Sequence, residues 1–223
     1  MSSKADRYAA IQAERAEDVA QRLDELLPLR GDERALDVGT GTGTLAHVLA
    51  QRVREVVAVE RDESMAERAR ATAPANVEVV VADGESLPFD SFSFDLGATL
   101  RTIHHTHRPE LLVAELARVT RPGGTILVID QVAPVDPLAA LDLNRFEHAR
   151  DPSTERVLSD GDLRGLFDSN GLVLRRALIV QEPRDVEAYL DLAGCEGAER
   201  EQVRALVPPG YEGVLGWYVL SRP

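Results

Sequence analysis

The stretch Leu36-Asp37-Val38-Gly39-Thr40-Gly41-Thr42-Gly43 constrains the fold more than any other part of the chain. Apolar residues run into a tight turn with glycine at three alternate positions. A helix-forming segment follows from Thr44 to about Arg52. Glycine reaches positive φ and lets a ligand approach the backbone directly. The start of the following helix presents unpaired N–H groups. Such a strand–turn–helix unit binds a nucleotide-like ligand at the carboxyl edge of a sheet. Spacing excludes two phosphate binders. A Gly-x-Gly-x-x-Gly turn counted from Gly39 needs glycine where Thr44 stands, and no Gly-Lys-Ser/Thr follows.

The same strand–helix rhythm continues on either side. Residues 5–27 have a helical pattern, with Ile11, Val19, Leu23, Leu26 and Leu27 at three- and four-residue steps. Strands are expected at 35–38, 55–59, 77–81, 94–98 and 125–129. Helices are expected at 44–52, 62–73 and 109–120, with Asp62 as an N-cap and Pro74 just beyond the end. Short apolar runs alternating with helices indicate a mostly parallel sheet covered on both faces. The right-handed crossover rule makes it an open, doubly wound α/β sheet. The last third adds helical patterns at 135–149, 160–168, 185–193 and 199–206. It also adds strands at 172–180 and 214–220, for seven strands in all. No linker sets this third apart. The chain reads as a single domain: an N-terminal helical cover (1–30), a ligand-binding half (34–130), a helical substrate cover (135–170) and C-terminal strands and helices (171–223).

Three acids sharpen the ligand. Glu60 ends the second strand, where a carboxylate suits a ribose diol. Asp83 ends the third, where it suits an adenine amino group. Asp37 precedes the turn, where it repels a pyrophosphate and either attracts a cationic amine or braces the loop. Each acid alone is equally a strand terminator. In register beside the glycine turn, they point to an adenosine-like ligand with little negative charge.

The motifs, in order, resemble those of class I S-adenosylmethionine-dependent methyltransferases, in particular the ubiquinone/menaquinone-biosynthesis-like, methyltransferase type 11 small-molecule group. They are Leu36–Gly43, Glu60, Ala82-Asp83-Gly84-Glu85-Ser86-Leu87-Pro88-Phe89, Phe92-Ser93-Phe94-Asp95, Ile103-His104-His105 and Glu115–Gly124. The resemblance covers about residues 34–130 and implies a seven-stranded Rossmann-like sheet with S-adenosylmethionine as cofactor. It implies that Asp37 and Gly39 border the methionine part and that Gly41 and Gly43 shape the turn. Glu60 would bind the ribose, Arg61 pack beside the adenine, and Asp83 and the Gly84 N–H read the adenine edge. Leu100 would lie near the sulfonium. The chain departs from many relatives at Thr99-Leu100-Arg101-Thr102, where the bulky, charged Arg101 alters the expected substrate mouth.

Methyl transfer to a hydroxyl or an acidic carbon needs an aligned nucleophile and a proton acceptor. His104, His105 and His107 cluster past the fourth strand. His105, with His104 beside it, is the candidate base; the alternative is a histidine that fixes its loop. The three histidines and Asp130 also offer metal-ligand types, but adjacent histidines point apart and no metal is expected. Candidate substrate contacts are Tyr8, Arg101, Asp130, Asn144, Arg145 and His148. Arg145 or Arg150 would pair with a substrate carboxylate or phenolate, unless they are solvated helix charges. Trp217 reads as core or as an interface anchor.

Composition narrows partners. The 223 residues carry 25 Lys+Arg against 38 Asp+Glu, a net charge of -13, which disfavours nucleic acid and anionic membranes. Lys4 is the only lysine, so Schiff-base chemistry is not expected, and the lone Cys195 excludes an internal disulfide framework. With no apolar leader pattern, a cytoplasmic enzyme is expected, monomeric or homodimeric. Two alternatives share the pocket: a cyclisation or rearrangement without methyl transfer, and a non-catalytic complex-forming subunit.

Overall fold

The computed structural model describes residues 16–223. Residues 16–26 are helical (α1). There follow β1 (Arg34–Val38), α2 (Thr44–Ala50), β2 (Glu55–Glu60), α3 (Glu63–Thr72), β3 (Val77–Val81) and β4 (Phe94–Leu100). A short 3₁₀ turn, Ile103–His105, leads to α4 (Pro109–Val119) and β5 (Thr120–Gln131). The last third comprises α5 (Pro137–Arg150), α6 (Asp160–Ser169), β6 (Val173–Glu182), α7 (Val186–Ala193), α8 (Gly197–Arg204) and β7 (Gly213–Ser221).

Local chemistry sets the helix starts. The Asp62 carboxylate accepts from the Met65 N–H at 2.9 Å and opens α3. Asp136 does the same for α5, accepting from Leu138 and Ala139 with Pro137 in the first turn. Ser159 and Asp162 form a reciprocal capping box on α6.

All seven strands join one sheet in the order β3-β2-β1-β4-β5-β7-β6. The first five run parallel, and β7 lies antiparallel between β5 and β6. The sheet is thus mixed, with a parallel five-stranded part and an antiparallel edge. Alternating side chains feed two apolar layers. Ile126 and Val128 pack with Leu36, Leu112, Leu116 and Phe167 on the face of α4 and α6. Leu127 and Ile129 pack with Leu23, Leu45, Leu49 and Trp217 on the face of α1 and α2. Trp217 is fully buried there, as core.

β5 begins at Thr120, five residues before the expected strand start. Thr120 pairs with Phe94, and a register shift between Phe94 and Leu96 absorbs the Pro122-Gly123-Gly124 stretch. Gly123 N–H donates to the Arg222 carbonyl at 2.9 Å and Arg222 N–H to the Gly124 carbonyl at 3.1 Å, so residue 222 ties this stretch to the sheet. Among the described residues, no helix is long and apolar enough to cross a membrane.

Candidate active site

The carboxyl ends of β1, β2 and β4, with the loops after β3 and β4, surround a cavity of about 560 Å³. Asp37, Gly39, Gly41, Glu60, Arg61, Asp83, Gly84 and Leu100 all line it. Gly43 does not; its left-handed backbone (φ 95) forms the N-cap of α2.

The turn is built from backbone hydrogen bonds. Gly39 and Thr40 N–H both donate to the Val59 carbonyl, at 2.8 and 3.0 Å. Gly39 sits at φ 72, and a Cβ there would collide with the Thr102 side chain. Gly41 sits at φ 57, and a Cβ there would meet nothing within 4 Å. Glu60 is clamped at both oxygens: Oε2 accepts from Gly41 N–H at 2.9 Å and Oε1 from Asp62 N–H at 3.0 Å. Two donors therefore aim this carboxylate before any ligand arrives. Asp83 is exposed, with Oδ1 accepting from Glu85 N–H at 2.9 Å. A Cβ on Gly84 would come within 2.7 Å of Val38 Cγ1, so the chain approaches β1 closely there.

Asp37 is fully buried. Its Oδ2 accepts from Thr40 Oγ1 at 2.7 Å, and its Oδ1 has no hydrogen-bond partner. Burial pushes its carboxyl up to about 7, against the pull of the Thr40 hydroxyl.

The two candidate histidines have different surroundings. His104 is buried, and its Nδ1 bonds to Asp130 Oδ1. Asp130 also accepts from Ile103 N–H and Gln131 N–H, both at 2.6 Å. Burial alone would raise the Asp130 carboxyl; the His104 ring and these donors outweigh it and hold it below the usual range. His105 is half-buried, and its Nδ1 lies 3.0 Å from the Ser153 carbonyl and 3.1 Å from Ser153 Oγ. A carbonyl only accepts, so Nδ1 carries the hydrogen and Nε2 keeps its lone pair. Burial, helped by His104, depresses the imidazole below its ordinary value.

Sequence reasoning placed several contacts that the fold moves off the cavity wall. Asp130 lies behind His104, while its neighbour Gln131 reaches the cavity. Asn144 braces its own segment, donating to the Ala140 and Val157 carbonyls and accepting from Val157 N–H. Arg145 is exposed beside Asp142, and His148 bonds to the Thr154 carbonyl; neither lines the cavity. Arg145 and His148 are exposed on α5, whereas its Leu143, Phe146, Glu147 and Arg150 are buried. Tyr8 lies outside the described residues. Arg101 does line the cavity, in a left-handed conformation (φ 54).

The C-terminal third supplies the rest of the wall, including Arg150, Ser153, Tyr189 and Leu192. Tyr189, Leu192 and Ala193 share one face of α7, which is legible as amphipathic periodicity; nothing local says that this face meets the cavity. Behind it, the fully buried Glu147 accepts from Tyr189 Oη at 2.9 Å, Tyr211 Oη at 2.7 Å and Arg150 Nε at 3.1 Å. Among the described residues, no group of three or more His, Cys, Asp or Glu side chains is arranged to hold a metal ion.

Comparison with known proteins agrees with this geometry. The sequence model of the methyltransferase domain family matches residues 36–128. The Bacillus subtilis methyltransferase YcgJ is 29% identical over 178 residues, spanning 78% of this chain and 70% of YcgJ. Its crystal structure superposes with a TM-score of 0.86, covering 93% of this chain and 99% of that one at 23% identity. A demethylmenaquinone methyltransferase of Clavibacter sepedonicus is 36% identical over 134 residues, spanning 59% of this chain and about half (54%) of that enzyme. The structure of the [4+2]-cyclase SpnF shares the fold at a TM-score of 0.73 and 19% identity, covering 92% of this chain and 80% of SpnF. The fold and the motif-bearing cavity define a class I methyltransferase. The chain is an S-adenosylmethionine-dependent methyltransferase whose residues 36–128 match the methyltransferase domain family.

Proposed function

We propose that the protein transfers the methyl group of S-adenosylmethionine to an oxygen, nitrogen or activated carbon of a small metabolite, releasing S-adenosylhomocysteine. One observation carries this reading: an aimed carboxylate at Glu60, the buried Asp37, the unobstructed Gly41 and the His105 ring line one cavity. The donor set fits the cofactor. Glu60 would take the ribose hydroxyls and Asp83 the adenine amino group, with Gly84 N–H and Arg61 beside the base. Asp37 and Gly39 would border the cationic methionine part, with Leu100 toward the sulfonium. Gly43 acts indirectly, by starting α2.

Bound there, the cofactor supplies an electrophilic methyl on a positively charged sulfur, which keeps the S–C electron pair. The protein aligns the acceptor and excludes water from the line of displacement. His105 Nε2 accepts the acceptor's proton, since the Ser153 carbonyl holds the other ring nitrogen protonated. His104, tied to Asp130, is a positioning residue that fixes the 3₁₀ turn carrying His105. The likeness to a demethylmenaquinone methyltransferase supports placement in the ubiquinone/menaquinone-type small-molecule group.

The test is incubation with S-adenosylmethionine and a metabolite panel, read by mass spectrometry. A product heavier by one methyl, with S-adenosylhomocysteine formed, supports transfer. An isomerised product without S-adenosylhomocysteine moves the enzyme to the cyclisation reading. Calorimetry with S-adenosylhomocysteine on wild type and Glu60→Ala tests the pocket; absence of binding to wild type would sink both readings.

A further inference from the structure

The acceptor side of the cavity carries an ionic network whose members are unequally satisfied. Arg184 is saturated: it donates to Tyr211 Oη at 2.7 Å, Gln131 Oε1 at 3.1 Å and Glu182 Oε2 at 3.1 Å, and lies 3.4 Å from Glu147. It does not line the cavity. Arg101 and Arg150 do, and each is held from one side only. Arg101 uses Nη2 alone, bridging both Glu182 oxygens at 2.5 Å, while its Nε is buried without a partner. Arg150 uses Nε on Glu147 at 3.1 Å and rests on the Tyr189 ring at 4.0 Å. Among the described residues its Nη groups make no hydrogen bond; the nearest carboxylate, Asp151, stands 4.0 Å from Nη2. The Asp151 carboxylate is engaged by its own loop, accepting from Ser153 N–H at 3.0 Å and Ser153 Oγ at 2.7 Å.

Burying glutamates to hold arginines is a poor way to gain stability, because desolvation offsets the attraction. It is an effective way to aim guanidinium donors. Arg101 adds a second cost, a left-handed backbone for a bulky residue, at the point where β4 opens into the site. Strain and an orphaned donor at one cavity-lining residue mark a functional position.

We propose that the methyl acceptor carries a carboxylate, received by the guanidinium groups of Arg101 and Arg150. The planar fork of arginine matches a carboxylate's two oxygens. Glu182 and Glu147 hold each fork from behind, and Arg184 joins those two acids into one frame. This deepens the methyltransferase reading and rests on it.

The test is calorimetry on the full chain loaded with S-adenosylhomocysteine. The probes are benzoate and phenylacetate, each against its isosteric amide. The expected result is a preference of about tenfold or more for the carboxylates. That preference disappears in Arg101→Gln paired with Glu182→Gln, a double variant that removes both charges of the pair and leaves Arg184 its Glu147 partner, and it falls in Arg150→Gln. Both variants keep wild-type affinity for S-adenosylhomocysteine. The proposal is overturned if no carboxylate outbinds its amide, or if the variants retain the preference. It is equally overturned if the variants lose S-adenosylhomocysteine instead, because the arginines then serve the cofactor's own carboxylate. Wild type that fails to bind S-adenosylhomocysteine at all is a different failure, of the cofactor assignment itself.

Discussion

Asp37 and His105 line the same cavity, and burial acts on them in opposite chemical directions. For Asp37 burial disfavours the anion, and the carboxyl rises to about 7. Its ordinary value is 3.8, so this group favours the folded state most below pH 3.8, and that contribution is lost as pH rises through about 7. A cationic ligand beside it favours the anion and reverses the shift. Binding of S-adenosylhomocysteine, whose α-ammonium would stand beside Asp37, is therefore expected to release protons near pH 7. Calorimetry in buffers of different ionisation heat measures this; wild type shows a buffer-dependent heat and Asp37→Asn does not. For His105 burial disfavours the cation, so the ring is neutral across the physiological range. The rate should fall only on acidification below the ordinary value of 6.5, with a flat profile above it. In His105→Asn the acid limb should vanish and kcat drop by about 10²–10⁴-fold. A variant that keeps both rate and limb reduces His105 to a loop brace.

At the scale of elements, the β1–α2 turn separates two effects of glycine. Gly39 has a left-handed backbone and a blocked Cβ position, whereas Gly41 has only the left-handed backbone. Gly41→Ala should cost about 1–2 kcal/mol, the penalty of that conformation alone. Gly39→Ala must also displace Thr102, whose Oγ1 donates toward the Val38 and Gly39 carbonyls, and should cost clearly more. Urea denaturation of the two variants gives the order; equal losses would show that Thr102 moves freely. The same turn aims Glu60 through Gly41 N–H, so cofactor affinity should drop with Gly39→Ala even where the fold survives.

For the whole molecule, β7 joins the two halves of the chain. It pairs with β5 on one side and β6 on the other, and it contributes the buried Trp217, Tyr218 and Leu220 to both apolar layers. Removing residues 213–223 strips β5 of a neighbour and leaves β6 outside the sheet. Circular dichroism of the shortened chain should lack a cooperative thermal transition; a sharp one would show that the parallel half folds alone.

The strand–helix order, the glycine turn and the acids at the strand ends are legible in the sequence. They depend on contacts within a few residues, on periodicity and on capping. Thus Asp62 caps α3 as its position implies, and Glu60 and Asp83 meet at the cavity because parallel strands align their carboxyl ends. The early start of β5 is not legible, since Arg222 stabilises it from the far end of the chain. Nor is the acceptor wall. Arg101 meets Glu182 across 81 residues, and His105 meets Ser153 across 48. Asn144, Arg145 and His148 sit on the expected helix, but its rotation turns them away from the cavity. The sequence by itself determined the class of sheet and the edge that carries the cavity, because local hydrogen bonding and alternation specify both. Only the tertiary structure decided which side chains complete the cavity wall, because packing of Phe146 on α5 against Leu190 on α7 and Val203 on α8 sets that choice and leaves no local signal.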